Sequence, residues 1–171
     1  MITKKISLIL LCGLTLYSLM SRVEAREAMV DPTKNAKIQR LSNLSTDDAF
    51  NNLKDADFFY DDEFIKKGIG RAFKNRKEKA VQFAIEHIKT GKKTRDIEEA
   101  KNFHIAKKIL QMFPEESQGY LAHLYSSNDP GIRRNVIHAV AAMPSNDFTR
   151  YVLMNALEDK SVCEENFSDS V

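Results

Sequence analysis

The sequence has no tryptophan, only two cysteines, four prolines and six glycines among 171 residues. Each shortage removes an option. Cys12 falls within an N-terminal apolar run, and Cys163 stands alone after it. An internal disulfide is therefore excluded once that run is removed, which leaves Cys163 to half-buried packing or to a bridge between molecules. Scarce glycine and proline argue against a turn-rich β-protein, and no stretch alternates apolar and polar residues as a half-buried strand does. The expected class is all-α.

Recognisable chemistry is also missing. There is no G-x-S-x-G, phosphate loop or dinucleotide fingerprint. His87, His104, His123 and His138 are scattered, without an H-x-x-x-H pair, so no metal or other cofactor is expected. Cys163 precedes Glu164 and Glu165, whose charges would raise a thiol pKa and weaken it as a nucleophile. The reading is of a protein that is not an enzyme.

What is present begins with a leader. Lys4 and Lys5 precede an apolar run, Ile6 to Met20, that is short for a membrane span, and Val23-Glu24-Ala25 carries small residues where a signal peptidase reads. Residues 1–25 are read as a secretory signal cleaved after Ala25, which leaves no integral membrane segment and a periplasmic or secreted chain. A retained anchor is the alternative. Leu10 and Leu11 stand before Cys12 where a lipoprotein signal wants small residues. The leader's Lys4, Lys5, Arg22 and Glu24 carry the whole formal charge of +2, so the remainder is neutral. About 145 residues are left, enough for one domain with a sizeable core.

Residues 26–44 are polar and are read as a flexible lead-in, with a helical domain over 45–171. Ser45 or Thr46 caps a first helix, further helices run from about Asp62 and over Asn75 to Lys89, and Asp96 caps a long one. The clearest pattern lies in residues 129–158. Asp129 caps a helix with Pro130 at its first position, and Ile132, Val136, Ala139, Val140 and Met143 recur at helical spacing. Pro144 ends it. Asn146 or Asp147 caps the next, with Phe148, Val152, Leu153, Ala156 and Leu157 as a wide apolar face. Sliding the chain by 30 residues superposes Ile109, Leu110, Phe113 and Pro114 on Ala139, Val140, Met143 and Pro144, with a looser match of Leu121 to Tyr151 and Leu124 to Met154. A partial unit starts at Asp159. Neither helix of a pair can bury its face alone, so units near 100–128 and 129–158 must stack, with Val136 and Val152 inside.

Asp129, Ile132, Arg133, Val136, Ala139 and Val140 resemble the D-x-x-(V/I)-R-x-x-(A/V)-x-x-A-(L/V) core of a HEAT repeat. Tetratricopeptide repeats would want a longer period and an aromatic signature. The resemblance implies a short right-handed α-solenoid of about six to eight helices after the signal. It implies a scaffold that binds a protein partner in the cell envelope through the second helix of each unit, at Tyr120, His123, Arg150 and Met154.

Two other features compete for function. Asp57-Phe58-Phe59-Tyr60-Asp61 is an aromatic knot, read as core packing or as part of a ligand pocket over 58–95 in an exported carrier or enzyme. An acidic block over 45–64 precedes a basic one in which Lys66, Lys67, Arg71, Lys74, Arg76 and Lys77 form a candidate anion-binding patch. Outside the cytoplasm its partners would be an anionic polymer, membrane surface or acidic protein, and not nucleic acid. A solvated helix face is the plainer reading.

Overall fold

The computed structural model describes residues 32–54, 58–90 and 96–164. The chain divides into units of residues 1–37 and 38–171, and of the first only 32–37 are described, as helix. The leader with Ala25, residues 91–95, the Cys163 side chain and the last residues lie outside the described part.

Nine helices and no strand make up the described residues. They are α1 (Pro32–Leu41), α2 (Thr46–Leu53), α3 (Asp62–Phe73), α4 (Lys77–Lys89), α5 (Ile97–Met112), α6 (Pro114–Tyr125), α7 (Pro130–Val140), α8 (Asp147–Ala156) and α9 (Lys160–Glu164). Side-chain caps set most of the starts. Ser45 accepts from Asp48 N, Asp61 from Phe64 N, Asp96 from Glu98 N and Asp129 from Gly131 N and Ile132 N. Each such cap contributes about 1 kcal/mol by satisfying an orphan donor.

From α2 onward the packing alternates. The odd helices α3, α5, α7 and α9 lie side by side, each against the next odd one, and so do the even helices α2, α4, α6 and α8. Most consecutive helices also pair across the two layers, most extensively α4 with α5, but α3 with α4 and α8 with α9 do not. This is a stacked-hairpin arrangement, in which every inner helix buries one stripe against its own layer and one against the other. Val81, Ile105, Ile109, Leu110, Leu121, Val136 and Val152 are all fully buried between the layers. Val136 and Val152 thus sit where stacking requires them.

Three expectations need correction. Residues 32–41, read as part of a flexible lead-in, form a helix that buries Ile38 and Leu41. Only two apolar residues point inward, too few to show a period in sequence, while Pro32 at the first position favours the helical φ. With this helix and the five-residue α9, the count exceeds the expected six to eight. The face of α8 is also narrower than its sequence suggests. Val152 and Thr149 are buried, but Leu153 and Leu157 are 37% and 80% exposed. The 30-residue correspondence therefore holds on the first helices and fails on the second, where buried Leu121 and Leu124 face Tyr151 and Met154 at 61% and 66% exposed. The connections differ as well: Pro114 opens α6 directly after Phe113, whereas Pro144 lies in a longer connection before α8.

Gly68 shows how closely α3 meets its neighbours. A Cβ there would stand 2.5 Å from Leu53 Cδ2 and 3.2 Å from Leu41 Cδ1. At Gly70 the nearest atom would be Met112 Cε at 3.5 Å, an ordinary contact. Gly68→Val should therefore destabilise the fold by about 1–3 kcal/mol through overpacking. Gly70→Ala should stabilise it by up to about 1 kcal/mol through helix propensity. Urea unfolding of the two variants checks both signs.

Candidate functional site

The four residues expected to meet a partner all lie in the even layer, Tyr120 and His123 on α6 and Arg150 and Met154 on α8. Their environments differ. Tyr120 is half-buried and its hydroxyl accepts from Gln82 Nε2 at 3.0 Å, which links α6 to α4. His123 is exposed, and Arg150 is exposed and paired with Asp147 at 2.6 Å. Met154 belongs to an apolar row on α8 with Tyr151 and Leu157, spaced three residues apart on one helix face. Tyr125 at the end of α6 meets Tyr151 edge-on, with ring centroids 6.4 Å apart. Among the described residues no even helix follows α8, and Tyr151, Met154 and Leu157 are 61%, 66% and 80% exposed. Sequence reasoning found Met154 but assigned Leu157 to the core.

The basic residues of α3 and its flank do not gather into one patch. Lys66 and Lys67 pair with Asp62 and Glu63 one turn earlier, at 2.9 and 2.8 Å. Arg71 donates to Gln39 Oε1. Arg76 donates to Ala72 O and lies over the Phe73 ring. Lys77 pairs with Glu116 at 3.0 Å and lies over Phe113, while Lys74 is exposed. A block that is continuous in sequence is thus spread around a helix, and neighbouring acids neutralise much of it. The aromatic knot is similarly divided. Phe59 is buried against His104, Phe58 packs on Phe64, and Tyr60 is 92% exposed.

A groove lies on the opposite, odd layer. It has a volume of about 500 Å³ and is lined by Lys66 of α3, by Lys108, Gln111 and Met112 of α5, and by Met143 and Pro144 after α7. Asp62 sits between the two lysines and reaches Lys108 Nζ at 2.6 Å as well as Lys66. The Lys108 and then the Lys66 ammonium hold its carboxyl down at about 2. None of the three knot rings lines this groove, and sequence reasoning picked only Lys66 from it.

His104 feels Lys107, Lys108 and Asp62, and His138 feels Lys107 and Arg134. Burial, with those cations adding to it, lowers both imidazoles below their ordinary 6.5. His87, stacked on Phe50 at 4.8 Å, is lowered in the same way by burial and then by Lys54, against a raising effect of Glu86. Among the described residues no three His, Cys, Asp or Glu converge on a point that could hold a metal ion. Comparison with known proteins finds no matching family model, curated protein or solved structure.

An imidazole whose folded pKa lies below its unfolded value favours folding at pH above the unfolded pKa and loses that contribution as pH falls. Stability should therefore decline as pH drops from about 7 toward 5, across the unfolded histidine pKa near 6.5, and His87→Phe should remove part of the slope. Urea midpoints over that range, before the carboxylates titrate, measure it; a midpoint that rises on acidification contradicts the burial of the His87 and His104 rings.

Proposed function

We propose that the chain is an exported, HEAT-like helical scaffold that holds a protein partner in the cell envelope and acts by binding. The reading rests on one observation above all, the exposed apolar row Tyr151, Met154 and Leu157 at the open end of the even layer. Isolated apolar residues on a surface mean little, but three on one helix face beside a layer edge are a surface built for packing. The partner chemistry follows from the layer itself. What packs on α4 and α6 is an even helix with an apolar stripe, so an amphipathic helix of another protein would extend the same series beyond α8. Arg150 and His123 would flank it, and tyrosine and arginine are common anchors of such contacts. Export is supported by the leader pattern at residues 1–25, with cleavage after Ala25.

A photo-crosslinking residue placed at Tyr151 should trap a partner from envelope extract, and the crosslinked peptide should map to the apolar face of a helix. Met154→Asp with Leu157→Asp should lower that capture at least tenfold while leaving the urea midpoint nearly unchanged, since both side chains are exposed. Capture that survives the double variant, or crosslinks that map to no helix, would remove the basis of the reading. Mass spectrometry of the exported chain checks the new N-terminus at Arg26.

A further inference from the structure

We propose that the odd-layer groove between α3, α5 and the turn after α7 is a second docking site, which takes an acidic peptide segment carrying one apolar side chain. The inference goes beyond the even-face reading, and shares with it only the premise that the fold works by holding other chains. The groove's chemistry is two-sided. Met112, Met143 and Pro144 supply an apolar floor, and Met112 is 39% exposed within it. Thioether side chains adapt to guests of different shape, which suits a peptide side chain better than a rigid cofactor. A volume of about 500 Å³ accommodates such a side chain with its flanking backbone.

The rim is cationic. Lys66 and Lys108 each carry three donors, and a single carboxylate, Asp62, serves both. One positive charge is left over at the rim. Asp62 does more than neutralise. By gripping both ammoniums it holds Lys66 and Lys108 at fixed positions across α3 and α5, so a guest carboxylate meets an ordered pair of cations rather than two mobile ones. Carboxylates flanking an apolar side chain complement this arrangement, and opposite charge raises the encounter rate as well. A peptide is favoured over an anionic membrane because the apolar part lies in a recess below the cations, where a flat lipid surface gains little from it.

The test uses the full mature chain and a fluorescein-labelled peptide with one leucine between two pairs of glutamates. Anisotropy should report saturable binding at micromolar peptide, weakening at least tenfold when leucine is replaced by serine. Lys66→Gln with Lys108→Gln should weaken it at least tenfold. Ala142→Trp, a bulky substitution at an exposed residue of the groove lining, should do the same. Affinity should also fall as salt rises from about 50 to 300 mM. Met154→Asp with Leu157→Asp should leave peptide binding unchanged, so the two docking readings stand or fall separately. No saturable binding, or binding indifferent to Ala142→Trp, overturns the proposal. So does equal binding to vesicles containing phosphatidylglycerol that Ala142→Trp leaves intact, which would assign the face to lipid. A chain ending at Glu164 that binds tenfold tighter would also overturn it, because the chain's own Glu165 and Asp169 would then be the occupants.

Discussion

A helix of ten to sixteen residues cannot bury its apolar stripe by itself, and this chain solves the problem twice for each helix. Every inner helix leans on its sequence neighbour across the layers and on the helix after that within its own layer. The buried set is accordingly aliphatic and nearly seamless, with Val81, Ile88, Ile105, Ile109, Leu121, Val136 and Val152 all fully enclosed. Only two polar residues, Ser117 and Thr149, share that burial among the described residues, and both hydroxyls reach backbone carbonyls. Isolated hairpins would leave half of each stripe in water, so the stacking is what makes the short helices stable at all.

The scarcity of glycine has a structural counterpart. Helices commonly end on a left-handed glycine that lets the last carbonyls find donors, yet no residue with positive φ occurs among the described ones. The orphan carbonyls are served by side chains from other helices. Asn135 of α7 donates to Ile88 O near the end of α4, Gln111 of α5 to Ala139 O near the end of α7, and Ser117 of α6 to Leu110 O near the end of α5. These bonds do two jobs, capping a helix and fixing its distance from the next. The groove wall formed by Gln111 is one of these fasteners, so its shape is inherited from the fold.

Much of this was legible because it depends on local rules. Asp129, Asp96, Asp61 and Ser45 cap the helices that follow them, and the spacing of Val136, Ala139 and Val140 put the right residues inside. What escaped was set by geometry between elements. The wide apolar face read for α8 is buried only in part, at Val152, because no described element covers Leu157, which is 80% exposed. The layers begin at α2, ahead of the recurrence near residue 100, because α2 to α4 bury equivalent stripes with no shared spelling. The run from Lys66 to Lys77 looked like one basic patch because sequence shows charge along a line. On helices those residues point in several directions, and Asp62, Glu63 and Glu116 sit beside three of them. The groove was invisible for the same reason, since its walls come from three separate stretches.

The open edge of α8 is held open by the chain's own contacts. α9 follows α8 in the chain, and two arginines fasten it to the odd layer. Arg133 donates from Nε to Asp159 Oδ2 at 2.7 Å, from Nη1 to Ser127 O, and from Nη2 to Ser161, while Arg134 Nη2 reaches Val162 O. The Arg133 guanidinium, then Ser161, keep the Asp159 carboxyl down at about 2, so the clamp stays charged through any physiological acidity. With Val162 buried, α9 is committed to α7 in the odd layer. It therefore cannot serve as the next even helix, and Tyr151, Met154 and Leu157 keep facing outward. A charged, forked hydrogen bond is directional where apolar contact is not. That directionality fixes α9 against α7 in the odd layer.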